Sequence, residues 1–246
     1  MSAETIAGRN PVTEAIKGGR HINKIFIASS SRPGSFHDII QLAKEQGIVV
    51  QEVDAAKLDG LVPGVRHQGI VATVAAKEYV DLEDVLVSIE NNREQPLLVL
   101  LDELEDPHNF GAILRTCDAV GVHGVLIPKR RGVMLTATVA RTSAGAIEHV
   151  PVVRIGNIAQ TIEKLKKRGY WVVGADMDGE QVYYKSNLSG PLVVVLGGEG
   201  KGIGRLVKEQ CDFLVRIPMC GKVNSLNVSV AGSLLLYEVL RQREQV

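Results

Sequence analysis

The chain has 246 residues, 45% hydrophobic and 23% charged, with a formal net charge of zero. That is enough apolar material for one large or two modest cores, and it argues against a disordered or fibrous chain. No run reaches the roughly 18 apolar residues of a membrane span, and the N-terminus has no charged-then-apolar leader, so a cytoplasmic protein is expected. The three cysteines (Cys117, Cys211, Cys220) lack metal or disulfide spacing and are expected as buried thiols. The charge is unevenly spread. Residues 1–80 carry nine Lys/Arg against eight Asp/Glu, residues 81–106 one against nine, and residues 107–246 eighteen against eleven. A basic C-terminal surface suited to a polyanion is therefore masked in the total by an acidic segment.

In chain order, the pattern predicts a helix from Pro11 to Lys17, a strand from Lys24 to Ala28, and a helix from Ser35 to Gln46. Strands Ile48–Val53 and Gly69–Ala75 complete a small α/β unit. The acidic stretch Tyr79–Gln95, partly helical by pattern and ended by Pro96, reads as a junction. The expected layout is a first domain at 1–76, a linker at 77–95 and a larger domain at 96–246.

The larger domain reads as strand Leu97–Leu101, helix Asn109–Val120, strand Gly124–Ile127, helix Thr136–Ala144 and strand Val152–Ile155. Helix Ile158–Arg168 and strands Tyr170–Gly174 and Leu192–Leu196 follow. Next come helix Ile203–Gln210, strand Phe213–Ile217 and a long apolar helix opened by Ser225. Runs such as Leu-Leu-Val-Leu-Leu and Leu-Val-Val-Val-Leu suit strands covered on both faces, hence a mainly parallel sheet. In such sheets ligands sit beyond the carboxyl ends of the strands.

Three polar loops follow strand ends. In the first, Asp106-Pro-His-Asn-Phe-Gly-Ala-Ile-Leu-Arg115, Asn109 reads as the N-cap. Phe110, Ile113, Leu114 and Cys117 form the core stripe, and Arg115 lies about 140° from Phe110, pointing away from that core. The second, Gly197-Gly-Glu-Gly-Lys-Gly-Ile-Gly, follows Leu196 and satisfies neither dinucleotide nor phosphate-loop spacing. Glu199 would repel a phosphate, whereas close glycine backbone plus one carboxylate suits a neutral or cationic ligand. In the third, Ile217 and Met219 flank a loop that leads to Ser225, Leu226 and Asn227. Ser225 reads as an N-cap, a role compatible with its also being a polar group at the ligand. Glycine and small residues at Ala231-Gly232-Ser233 let the final helix thread the domain or pack on a second copy. His108 and His149 have neither ligand spacing nor an adjacent nucleophile, so no metal is expected.

Together the three loops resemble the signature motifs of the SpoU family of RNA ribose 2′-O-methyltransferases, in the SPOUT superfamily. The resemblance implies an α/β fold with a deep C-terminal trefoil knot, a small N-terminal RNA-binding domain and a homodimer formed through the C-terminal domain. It implies S-adenosylmethionine as cofactor, held by Leu196, Gly197, Gly198, Ile217, Met219, Ser225 and Leu226. Asn109, Arg115, Glu199, Ser225 and Asn227 are implied at the reacting centre, with Arg115 as phosphate clamp or alkoxide stabiliser and the general base left open. The first domain resembles the family's RNA-binding module at Gly8-Arg-Asn-Pro-Val-Thr-Glu-Ala and Arg66-His-Gln-Gly-Ile. Ribosomal RNA, methylated on a guanosine ribose, is the implied substrate, with Arg9, Arg66, Lys129, Arg130, Arg131 and Arg141 as its contacts. Two rivals stand beside this reading. One is a non-catalytic RNA-binding dimer with a relic pocket. The other is a nucleotide-dependent oxidoreductase, weakened by the missing fingerprint.

Overall fold

Short strands between helical stripes pair into two separate sheets in the computed structural model, which describes residues 3–32 and 34–244. The first unit comprises the chain up to Glu78 together with Leu135–His149, and the second comprises Tyr79–Met134 with Val150 onward.

The first unit runs β1 (Ala3–Ala7), α1 (Arg9–Lys17), β2 (Ile22–Ala28), α2 (His37–Glu45), β3 (Val50–Val53), α3 (Ala55–Leu61) and β4 (Ile70–Ala75). Its sheet order is β1-β4-β2-β3, with β4 antiparallel to both neighbours and β2 parallel to β3. Phe26, Val53, Leu58 and Val71 pack one face. Sequence pattern missed β1 because its polar Glu4 and Thr5 interrupt any apolar run, and α3 because Gly60 lies inside it. Arg20 locks the unit. Its guanidinium donates to Ala75 O (2.9 Å), Glu148 Oε1 (2.8 Å) and Glu4 Oε2 (2.9 Å), and Lys77 pairs with Glu148 Oε2 at 3.3 Å. The Arg20 and Glu148 side chains are only 4% and 2% exposed. Removing either would leave the other buried charge with a single ionic partner, Lys77 for Glu148 or Glu4 for Arg20. That pairing explains why residues 135–149 belong with the first unit, although the sequence places them inside a continuous second domain.

The second unit contains α4 (Leu82–Asn92), β5 (Leu97–Asp102), α5 (Pro107–Ala119) and β6 (Gly124–Pro128). Helix α6 (Ala137–Thr142), N-capped by the Thr136 hydroxyl, lies in the returning segment of the first unit. The second unit resumes with β7 (Val152–Ile155), α7 (Ile158–Lys167), β8 (Trp171–Ala175), β9 (Gln181–Val182), β10 (Leu192–Gly197), α8 (Arg205–Lys208), β11 (Phe213–Arg216) and α9 (Val228–Glu244). Its seven strands are all parallel, in the order β7-β6-β5-β10-β8-β11-β9. The apolar runs of β5 and β10 sit side by side at the centre. All six residues of β5 are buried, as are the first five of β10.

One face of this sheet is covered by α4, α7 and α8, through Leu86, Ile89, Ile162, Leu165 and Val207. The acidic linker thus carries the helix its pattern suggests, and that helix is packed against the sheet. Val85, Leu86 and Ile89 go inward, while its acids face out, where Glu83 pairs with Lys164 and Arg168. On the other side α9 packs against α5 and β10. A Cβ on Gly232 would lie 2.7 Å from Leu196 Cδ1, so glycine lets α9 approach the strand closely.

Two helix starts differ from expectation. Helix α9 begins at Val228, because the Asn227 carbonyl accepts from Ala231 N–H (3.0 Å) and its Oδ1 from Ser229 N–H (2.9 Å). Ser225 and Asn227 therefore precede the helix. Helix α5 begins at Pro107 with Asp106 as its cap, so Asn109 lies inside the first turn. Among the cysteines, Cys117 is buried and Cys211 partly so, whereas Cys220 is exposed in the loop before α9. Desolvation raises the Cys117 thiol and pushes that of Cys211 up to about 12, leaving both as inert thiols. Among the described residues no helix is long and apolar enough to cross a membrane.

Candidate cofactor and reaction site

The second unit's sheet ends in a glycine turn that no other residue fits. Gly198 N–H donates to Asp102 O (2.8 Å), and Gly202 N–H to Gly198 O (3.1 Å). A Cβ on Gly197 would fall 2.0 Å from the Gly202 carbonyl carbon, and one on Gly198 2.2 Å from Glu103 O. Both obstacles are backbone, so neither can swing aside. Asp102 closes the turn from β5. Its carboxylate, in a residue 4% exposed, accepts from Gly204 N–H at 2.8 Å. Burial raises its pKa above the ordinary carboxylate range and the neighbouring Glu103 charge adds to the rise, against the lowering effect of the Gly204 bond.

Beyond the carboxyl ends of β8, β10 and β11 this turn borders a cavity of about 720 Å³. That is within the usual range for a small-molecule site. Leu196, Gly197, Gly198, Ile217, Met219, Ser225 and Leu226 all line it. So do Glu199 and Asn227. The neighbouring strand β5 marks where the strand order reverses, since β6 and β7 lie on one side of it and β10 and β8 on the other. This is the expected place for a ligand in an open parallel sheet.

A single hydrogen-bond chain joins the three loops at the cavity edge. Asn109 Nδ2 donates to Glu199 Oε1, and Asn227 Nδ2 donates to Asn109 Oδ1 at 2.9 Å. Asn227 Oδ1 then accepts from the Ser229 hydroxyl at 2.6 Å and from its N–H. Among the described residues, no Lys, Arg or His nitrogen pairs with Glu199, so its charge is balanced only by an amide.

Arg115 stands apart. It is exposed on α5, outside the cavity wall, and has neither a hydrogen bond nor an ion pair among the described residues. Its neighbour Thr116 bonds Ser233 of α9 (2.9 Å). The expected RNA contacts are distributed over both units. Arg9, Arg66 and Arg141 are exposed on the first, Arg9 lying over the Phe36 ring at 4.8 Å. Lys129, Arg130 and Arg131 are exposed after β6 on the second. Sequence reasoning missed Asp102, Asp176 and Lys208. The first two sit where a strand runs out, and a carboxylate directly after an apolar run was the available signal.

Comparison with known proteins decides the family. The profile described as the SpoU rRNA methylase family matches residues 96–237. The chain belongs to the SpoU methylase family. A second profile, described as RNA 2′-O ribose methyltransferase substrate binding, matches residues 5–80. A TrmH family tRNA/rRNA methyltransferase of Bacillus subtilis (strain 168) is 53% identical over 98% of this chain and 96% of its own length. A TrmH family relative from Staphylococcus haemolyticus is 52% identical over 100% and 98%. Among solved structures, the SpoU methyltransferase AviRb of Streptomyces viridochromogenes, crystallised with AdoMet, superposes with a TM-score of 0.81. It covers 99% of this chain and 92% of that one at 24% identity, and so speaks for the fold. An RNA 2′-O ribose methyltransferase superposes at 0.78 with 27% identity, covering 98% and 89%. This SpoU-family chain is an RNA methyltransferase.

Asp102 yields a test of the turn. With its folded pKa raised, the carboxyl favours the folded state fully only below the ordinary carboxylate range, and that contribution is lost as pH climbs through the raised value. Asp102→Asn keeps an acceptor for Gly204 without a charge to desolvate. Its melting temperature relative to the parent is expected to increase between about pH 4 and about pH 8. A difference that is flat or falls over that range contradicts the assignment.

Proposed function

We propose that this chain methylates the 2′-hydroxyl of a ribose in ribosomal RNA, at a guanosine, with S-adenosylmethionine as methyl donor. The observation that carries this reading is the Glu199–Asn109–Asn227 chain, which ties the first loop to the two loops that line the cavity. The residues present fit the donor. Leu196, Ile217, Met219 and Leu226 offer an apolar wall for an adenine, and Gly197 and Gly198 let backbone groups approach it. Glu199 supplies the uncompensated negative charge that a sulfonium or ammonium group seeks. When bound, the cofactor supplies a methyl group activated by its positive sulfur.

The protein's part is alignment. Asn109 and Asn227 are fixed by their mutual bond, and the Ser225 hydroxyl lines the cavity within reach of a ligand. AviRb's crystallisation with AdoMet and the substrate-binding match at residues 5–80 support cofactor and RNA respectively. In this reading the first unit presents RNA through Arg9, Arg66 and Arg141, Lys129–Arg131 hold phosphates, and Arg115 clamps the phosphate beside the reacting ribose. A ribosomal RNA target puts the enzyme in the cytoplasm. We also infer the family's C-terminal knot. Its support is that the chain leaves β11 near one sheet edge and returns to lay α9 against β10 at the centre.

A homodimer through α9 completes the proposal. Val230, Leu234 and Tyr237 repeat at helical spacing and are all exposed, an apolar stripe that a lone protomer would leave in water. Leu234→Glu is expected to convert a dimer into a monomer in sedimentation. A parent protein that sediments as a monomer at micromolar concentration contradicts the dimer. For the chemistry, tritium is expected to pass from methyl-labelled cofactor to ribosomal RNA. Arg115→Lys should cut kcat/KM by at least about tenfold, because a point charge does not replace the guanidinium fork. Full turnover in that variant removes Arg115 from the site.

A further inference from the structure

The loop after β8 brings a second carboxylate to the cavity, one that the three motifs do not contain. Asp176 follows Ala175 and lines the cavity. Its side chain is 8% exposed, and its Oδ2 lies 2.6 Å from Lys208 Nζ, which reaches over from α8. Its Oδ1 accepts from Asp178 N–H at 3.1 Å. A Cβ built on Gly202 would lie 3.8 Å from Oδ2, so the carboxylate faces the glycine turn.

Two acids therefore serve one cavity in different electrostatic states. Among the described residues Glu199 has only the Asn109 amide as partner, whereas Asp176 is paired with the Lys208 ammonium. A paired carboxylate attracts a cation weakly. Each of its oxygens still has a free acceptor position, arranged in a plane by the two bonds it already makes. Lys208, spent on Asp176, is not available to a ligand carboxylate. Such a group suits neutral vicinal hydroxyls, each donating to one oxygen.

We propose that Asp176, held by Lys208, is a specificity-determining residue that reads the ribose diol of the cofactor, leaving the cationic methionine end to Glu199. The inference rests on the reading that the cavity takes S-adenosylmethionine. It divides the ligand by charge: neutral sugar to the paired acid, positive end to the unpaired one. The Asp176 side chain is 8% exposed, a depth at which an unpaired carboxylate is costly, and the Lys208 ammonium offsets that cost.

Calorimetry with S-adenosylhomocysteine, its 2′-deoxy and 3′-deoxy analogues and an analogue lacking the amino group tests this. The parent should bind the deoxy analogues about tenfold or more weaker, the usual loss for a hydrogen bond to a charged group. Asp176→Ala should bind S-adenosylhomocysteine about tenfold weaker and no longer distinguish it from the deoxy analogues. Its discrimination against the analogue without the amino group should remain as in the parent. Asp176→Asn, which keeps the shape and loses the ion pair, reads the same ratios if the alanine variant does not fold. The inference is overturned if the variants keep the parent's diol preference, or lose the amino-group preference instead. A parent that binds S-adenosylhomocysteine without diol preference overturns this inference alone. A parent that binds none of these ligands overturns the cofactor reading beneath it.

Discussion

The bond between Asn109 and Glu199 is the constraint on which the site depends. Asn109 comes from the first turn of α5 and Glu199 from the turn after β10, 90 residues further along the chain. Asn109 then uses its remaining oxygen to accept from Asn227, which simultaneously caps α9. An amide is the side chain that can do this, donating on one side and accepting on the other. Aspartate in its place would meet Glu199 with like charge, and leucine would leave both partners unsatisfied. One residue thus links the cap of α9 to the glutamate that lines the cavity.

That residue is placed by the sheet. Six consecutive buried residues in β5 and the buried run of β10 fix the two central strands in register, Gly197 opposite Asp102. Their loops must then leave in the same direction, as parallel strands require. Steric limits on Gly197 and Gly198 force the backbone of the two loops together, and Asp102 secures Gly204 from below. The result is a rigid floor under a cavity whose outer wall, residues 218 to 227, is exposed. Rigid backbone on one side and an accessible loop on the other is a workable arrangement for a ligand that must enter and leave.

Much of this could be read from the chain because the informative features were local. The apolar runs of the central strands, the glycine turn and the polar residues near Asn227 are short-range patterns with one sensible physical meaning. What could not be read was long-range. Residues 135–149 look like any helix between two strands, and they are tied to the first unit by long-range pairs, Arg20–Glu148 across 128 positions, Lys77–Glu148 and Glu14–His149. The acidic stretch at α4 reads as a linker because acids are frequent in it and Pro96 ends it, yet Val85, Leu86 and Ile89 bury one face of its helix. Helix α9 starts three residues beyond the expected Ser225, because Ser225 and Asn227 are both competent caps and tertiary bonding to Asn109 selects the second. Asp176 has only its place at the end of an apolar run as a local signal, and its meaning comes from Lys208, 32 residues later, and from the cavity that both line.

The central claim is that one cavity, bounded by the glycine turn and the Asn109 bond, receives the methyl donor. A crystal structure of the protein with S-adenosylhomocysteine tests it most directly. The account predicts the adenine between the Gly197–Gly198 turn and Leu226, with the sulfur end towards Glu199. Ligand bound elsewhere, or reversed with its adenine on Glu199, would contradict it.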